Sequence, residues 1–130
     1  MIFDSSAIVA ILRAEPEARE FAAAMLSAEA RRVSAASYVE AAIIIDRGGD
    51  AIACRRFDDF FRASRIVIEA VTRTQAELAR QAYRDFGKGR HKAGLNFGDC
   101  FAYALAKELD EPLLFKGDDF RHTDVEAADI

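Results

Sequence analysis

A chain of 130 residues that is 52% hydrophobic and 31% charged has the size and composition of one folded domain, which excludes a disordered or linker-type polypeptide. Lys and Arg total 18 against 22 Asp and Glu, so a partner held by bulk positive charge is excluded, and any contact with nucleic acid needs a local basic patch or a metal ion. The longest apolar run, Ala41 to Ile45, is far too short to cross a bilayer, and Asp4 stands where a secretory signal carries basic residues. A cytoplasmic protein with no membrane partner is expected. Cys54 and Cys100, with no His or Cys at ligand spacing, read as two buried, reduced thiols.

Met1 to Phe3 is a short apolar strand. Ser5-Ser6 offers an N-cap for a helix through Leu12 that breaks at Glu15-Pro16. Residues 17 to 29 have helical composition with Phe21, Ala24, Met25 and Ala28 on one face, either core or interface, and a second strand is placed at Arg31 to Ser34. A helix from Ala36 to Arg47 ends at Gly48-Gly49. Asp50 caps the next, whose Ile52, Phe57, Phe60 and Phe61 form an apolar stripe. Ile66-Val67-Ile68 is a β-branched third strand, Thr74 to Phe86 a helix, Gly87 to Asn96 a polar loop, Phe97 to Leu109 a helix, and Leu113 to Phe115 a fourth strand. Short apolar strands separated by one or two helices predict an α/β domain whose mostly parallel sheet is covered on both faces. Ligands of such sheets bind outside the carboxyl ends of the strands.

Four acids occupy places where acids are costly. Asp4 follows the first strand and Asp118 the fourth. Glu40 has Ala36, Ser37, Ile43 and Ile44 as its helical neighbours and is expected to project from the core-facing side. Asp99, in the first turn of its helix, shares a face with Ala102, Tyr103 and Ala106. Singly, each has a structural account as a cap, a helix-dipole partner, a turn former or half of an ion pair. Together they have a common one, because clustered carboxylates repel unless something positive sits among them. An all-oxygen donor set suits Mg²⁺ or Mn²⁺ and disfavours zinc.

The opening Met-Ile-Phe-Asp-Ser-Ser-Ala, Tyr38-Val39-Glu40, the block Asn96-Phe97-Gly98-Asp99-Cys100-Phe101-Ala102-Tyr103-Ala104-Leu105-Ala106 and the stretch Leu113 to Phe120 together resemble PIN-domain ribonucleases, and more narrowly the VapC toxins of toxin–antitoxin pairs. The resemblance covers the whole chain, residues 1–130, as one PIN-like domain. It implies a three-layer α/β/α sandwich, a Mg²⁺- or Mn²⁺-dependent endoribonuclease, and a catalytic quartet of Asp4, Glu40, Asp99 and Asp118, with Asp119 as the alternative fourth acid. Asp4, Asp99 and Asp118 are the expected metal ligands, and Ser6 resembles a small polar residue that supports the site. A homodimer silenced by a cognate VapB-like antitoxin is implied as well. Lys88, Arg90 and Lys92, in the loop before Asp99, are candidate RNA-binding residues, with a solvated charge run as the plain reading. Other readings stay open: a phosphatase or receiver-like domain using Asp4, a structure-specific DNA nuclease, and a PIN-like interaction module without activity. A phosphatase needs a second Asp where Ser6 stands.

Overall fold

The computed structural model describes residues 1–130. Four parallel strands, β1 (Ile2–Phe3), β2 (Arg32–Ser34), β3 (Val67–Glu69) and β4 (Leu113–Leu114), form one sheet in the order β3-β2-β1-β4. Six α-helices surround it: α1 (Ser5–Leu12), α2 (Ala18–Ser27), α3 (Ala35–Asp46), α4 (Ala51–Ser64), α5 (Arg73–Phe86) and α6 (Phe97–Leu109), with a turn of 3₁₀ helix at Asp119–His122.

Alternation along even these short strands sorts the core into two layers. Ile2 and Leu113 enter a cluster with Ala79, Leu95, Leu105 and Phe120 on the side of α5 and α6. Phe3, Val33 and Leu114 enter the other, with Ile8, Phe21, Ala41 and Phe57 from α1 to α4. The expected α/β/α sandwich is what forms. Phe21 and Met25 are core residues and not interface ones. Cys100 is buried as expected, but Cys54 is only partly so, because its turn of α4 lies at the margin of the second layer. No helix is long and apolar enough to cross a membrane.

Caps differ from the sequence expectation in an instructive way. Asp4, and not the serines, caps α1, its Oδ2 accepting from the Ser6 backbone N–H at 3.0 Å. A carboxylate spends more of its charge on exposed N–H groups than a hydroxyl does, and the strand ends one residue before it. The buried stripe of α3 is Ser37, Ala41 and Ile45, whereas Ile43 is exposed. Glu40 therefore leaves the flank of α3 toward the start of α6, and does not point into the core.

Candidate active site

At the carboxyl edge of the sheet, a cleft is lined by Asp4, Glu40 and Asp99 together with Ser5, Ser6 and Asn96. Three elements far apart in sequence deliver the acids: the end of β1, the flank of α3 and the first turn of α6. Each is fixed from behind. Asp4 is buried, held through Oδ2 as the α1 cap. Asp99 belongs to a capping box: Asn96 Oδ1 accepts from the Asp99 N–H at 2.9 Å, and Asp99 Oδ2 accepts from the Asn96 N–H at 3.0 Å. Glu40 Oε1 accepts from the Ser5 hydroxyl, and its other oxygen lies against the bare Cα of Gly98. Any Cβ at Gly98 would occupy the space of that carboxylate. The glycine of the sequence block is thus explained by close approach, not by an unusual turn.

Burial and mutual repulsion are visible in the acidities. Burial, with the Glu40 charge adding to it, pushes the Asp4 carboxyl up to about 6 against the hydrogen bonds from Ser6. Burial also raises Asp99 to about 7, with contributions from the charges of Asp4, Asp119 and Glu40. Asp4 Oδ1 is buried and has no hydrogen-bond partner. An orphaned carboxylate oxygen in a cluster of carboxylates is a place for a cation.

The donor set is all oxygen, which suits a hard divalent ion. As the side chains stand, no three acidic groups gather closely enough to share one ion. Asp4 and Asp99 fit by chemistry and burial. Neither Asp118 nor Asp119 lines the cleft and both are exposed, with Asp118 3.7 Å from Arg121 across one turn. It is the neighbouring Asp119 whose charge reaches Asp99.

Ser6 lies in the cleft, and its hydroxyl accepts from the Lys116 N–H at 3.0 Å, tying the loop after β4 to the start of α1. Lys88, Arg90 and Lys92 are exposed and do not line the cleft. Their loop is closed by hydrogen bonds of 2.9 Å from Lys88 N–H to Leu95 and from Leu95 N–H to Phe86, and it runs directly into Asn96. His91 Nδ1 accepts from the Ala93 N–H, so this imidazole braces the loop. Arg13, Arg47 and Lys116 do line the cleft, and sequence reasoning missed them. They lie at helix ends and in a loop with no motif spacing to mark them. Lys116 is engaged by Glu15 and Glu17 at 2.8 and 3.1 Å, whereas Arg13 makes only a long 3.4 Å bond to the Ile44 carbonyl.

Comparison with known proteins gives consistent matches. The PIN domain family matches residues 1–126. Ribonuclease VapC28 of Mycobacterium tuberculosis is 53% identical over 129 residues, covering 98% of this chain and 97% of the relative. The crystal structure of Mycobacterium tuberculosis VapC20, a sarcin-ricin loop cleaving toxin, superposes with a TM-score of 0.70 at 20% identity over 99% of this chain and 100% of that one. A toxin-antitoxin complex from Klebsiella pneumoniae has a TM-score of 0.68 at 16% identity over 92% of this chain and 88% of that one.

Proposed function

This chain belongs to the PIN-domain family, within its VapC ribonucleases, and from that premise we propose that it is a metal-dependent endoribonuclease, the toxin of a toxin–antitoxin pair, working through the cleft of Asp4, Glu40 and Asp99. The observation that carries this reading is that three carboxylates from distant elements line one cleft, one of them, Asp4, with a buried and unpartnered oxygen. Folding alone gives no reason to assemble such repulsion.

Asp4 and Asp99 would hold Mg²⁺ or Mn²⁺, with Asp119 in place of Asp118 as the acid approaching from the C-terminal side. When bound, a divalent ion acidifies water and offsets the charge that builds on the phosphodiester. The chain's own groups do the rest. Glu40, held by Ser5 through one oxygen, would be the group that takes the proton of the attacking water. The capping box holds Asp99 in one orientation, and Ser6 keeps the loop after β4 closed on the site. No side-chain nucleophile is required.

The same reading makes RNA the substrate, with Lys88, Arg90 and Lys92 as phosphate contacts outside the cleft. It also gives the protein a VapB-like antitoxin partner and a homodimeric state. An antitoxin Arg inserted between Asp4 and Asp99 would replace the metal's charge. The test is cleavage of single-stranded RNA by the purified chain with Mg²⁺ or Mn²⁺. Activity is expected to vanish with a chelator and to return with the ion, and unchanged cleavage in excess chelator would overturn the metal-dependent mechanism.

A further inference from the structure

The loop after β4 is fastened through Lys116. Its backbone N–H donates to the Ser6 hydroxyl at 3.0 Å, while its ammonium donates to Glu15 Oε1 at 2.8 Å and lies 3.1 Å from Glu17 Oε2. That Glu17 oxygen is buried and accepts no hydrogen bond, so the lysine charge is what compensates it. The hydrogen bond to Glu15, with Glu17 adding to it, holds the ammonium above its ordinary pKa, and the group stays charged. An isolated surface ion pair contributes little, but here one cation joins two carboxylates that the backbone already holds in place.

The α1–α2 connection that presents the two glutamates is itself tightly bound. Ala14 adopts the left-handed region at φ 52°, and Glu15 is engaged on both sides, its N–H donating to the Ala10 carbonyl and its carbonyl accepting from the Ala18 N–H, each at 2.9 Å. Beyond Lys116 the chain is anchored again at Phe120, which is buried and packs on Phe115 with centroids 5.2 Å apart. Only Gly117, Asp118 and Asp119 lie between these posts, and Gly117, at φ 97°, makes the turn that so short a span requires. The place of Asp119, whose charge bears on Asp99, therefore follows from where Lys116 is held.

We infer that Lys116 is a positioning residue of the nuclease: its clasp with Glu15 and Glu17 fixes Asp119 relative to Asp4 and Asp99, and so governs the affinity of the cleft for its divalent ion. The inference rests on the metal-dependent reading and deepens it. Groups that fix a ligand in place govern metal affinity almost as the ligands do, and losing one costs about 10–100-fold. A direct role of the ammonium on an RNA phosphate fits less well, because it would leave two carboxylates behind, one with a buried oxygen.

The experiment measures Mn²⁺ binding to the full chain without RNA, from the electron paramagnetic resonance signal of the free ion, beside steady-state cleavage of single-stranded RNA and thermal melts. Lys116→Met keeps an unbranched side chain and removes its charge. It is expected to raise the Mn²⁺ dissociation constant about tenfold and to leave the KM for RNA unchanged. Glu15→Gln combined with Glu17→Gln opens the same clasp from the other side and is expected to match it, whereas Lys116→Arg is expected to retain wild-type Mn²⁺ affinity. In an Asp119→Asn background, Lys116→Met is expected to cost nothing further, because the side chain it positions has lost its charge. Wild-type Mn²⁺ affinity in Lys116→Met would overturn the inference, and so would an undiminished loss in the Asp119→Asn background. A raised KM in Lys116→Met that the glutamine pair does not reproduce would also overturn it and assign the ammonium to an RNA phosphate. If wild type binds Mn²⁺ and cleaves RNA and the variants do likewise, only the clasp falls. If wild type binds no Mn²⁺, the metal-dependent reading falls with it.

Discussion

The acid cleft and the basic loop from Gly87 to Asn96 meet at a single residue, Asn96, and are made in opposite ways. In the cleft, charges of one sign are buried or half-buried and fastened from behind by a cap, a capping box and a serine hydroxyl. In the loop the backbone is fastened and the charges are loose: Lys88, Arg90 and Lys92 extend into solvent, and only Arg90 leans on a neighbour, 5.5 Å over the Tyr83 ring. Groups that act on a phosphorus atom must be held against their own repulsion, because small displacements lose the reacting geometry. Groups that only neutralise phosphates gain from mobility, since electrostatic attraction is long-ranged and non-directional.

That contrast is broken most directly by neutralising one buried acid. Asp4→Asn or Asp99→Asn is expected to lower the cleavage rate on the order of 10³-fold or more, the scale of several kcal/mol of transition-state charge stabilisation. Asp99→Asn retains an oxygen that can accept from the Asn96 N–H, so the helix start survives and the loss is chemical. Single-turnover cleavage beside a thermal melt separates the two.

The repulsion also has a signature without substrate. With chelator present, Asp4 and Asp99 hold their protons up to about 6 and about 7 in the folded chain, against an ordinary value of 3.8. Between roughly pH 4 and pH 7 the native state binds more protons than the unfolded one, so stability falls as pH rises through that window and levels off above it. The loss is expected to be on the order of 1–3 kcal/mol, carried mainly by the buried Asp4, since solvent screens the half-exposed Asp99. Urea midpoints from pH 5 to pH 8 measure it. Asp99→Asn should flatten part of the slope, raise the melting temperature at pH 8 and shrink the stabilisation by millimolar Mg²⁺. A midpoint that climbs from pH 5 to pH 8 would contradict the charge cluster.

Changes in the loop should act on binding alone. Replacing Lys88, Arg90 and Lys92 by Ala is expected to raise the dissociation constant for RNA roughly tenfold and lower the salt slope by about 0.7 per lost contact, with the single-turnover rate at saturation unchanged. If affinity and slope both stay put, the loop is solvated surface. The smallest effect sharpens the border between the regions. Asp119→Asn should slow cleavage about tenfold by removing a charge that bears on Asp99, while Asp118→Asn, paired only with Arg121, should remain within about twofold of wild type. Parallel rate measurements on the two variants decide which acid serves.

Much of this molecule could be read from local pattern. Apolar strands of two or three residues, helix-forming segments between them and the Gly48-Gly49 break led to the sandwich, because binary patterning and turn chemistry act within a few residues of each position. Asp4 and Asp99 were legible as strand-end and helix-start acids for the same reason. Other features depended on how elements meet. Only the approach of α3 to α6 shows that Glu40 leaves the flank of its helix and that Gly98 is bare to admit it. Only the folded chain shows that Asp118 and Asp119 both stand exposed outside the cleft, with the Asp119 charge still bearing on Asp99. Arg13 and Arg47 border the cleft through helix ends brought together from separate parts of the chain. Periodicity specifies which face of an element is apolar, but the angle at which two elements cross is set by the packing of all their side chains at once, and that is a property of the tertiary structure alone.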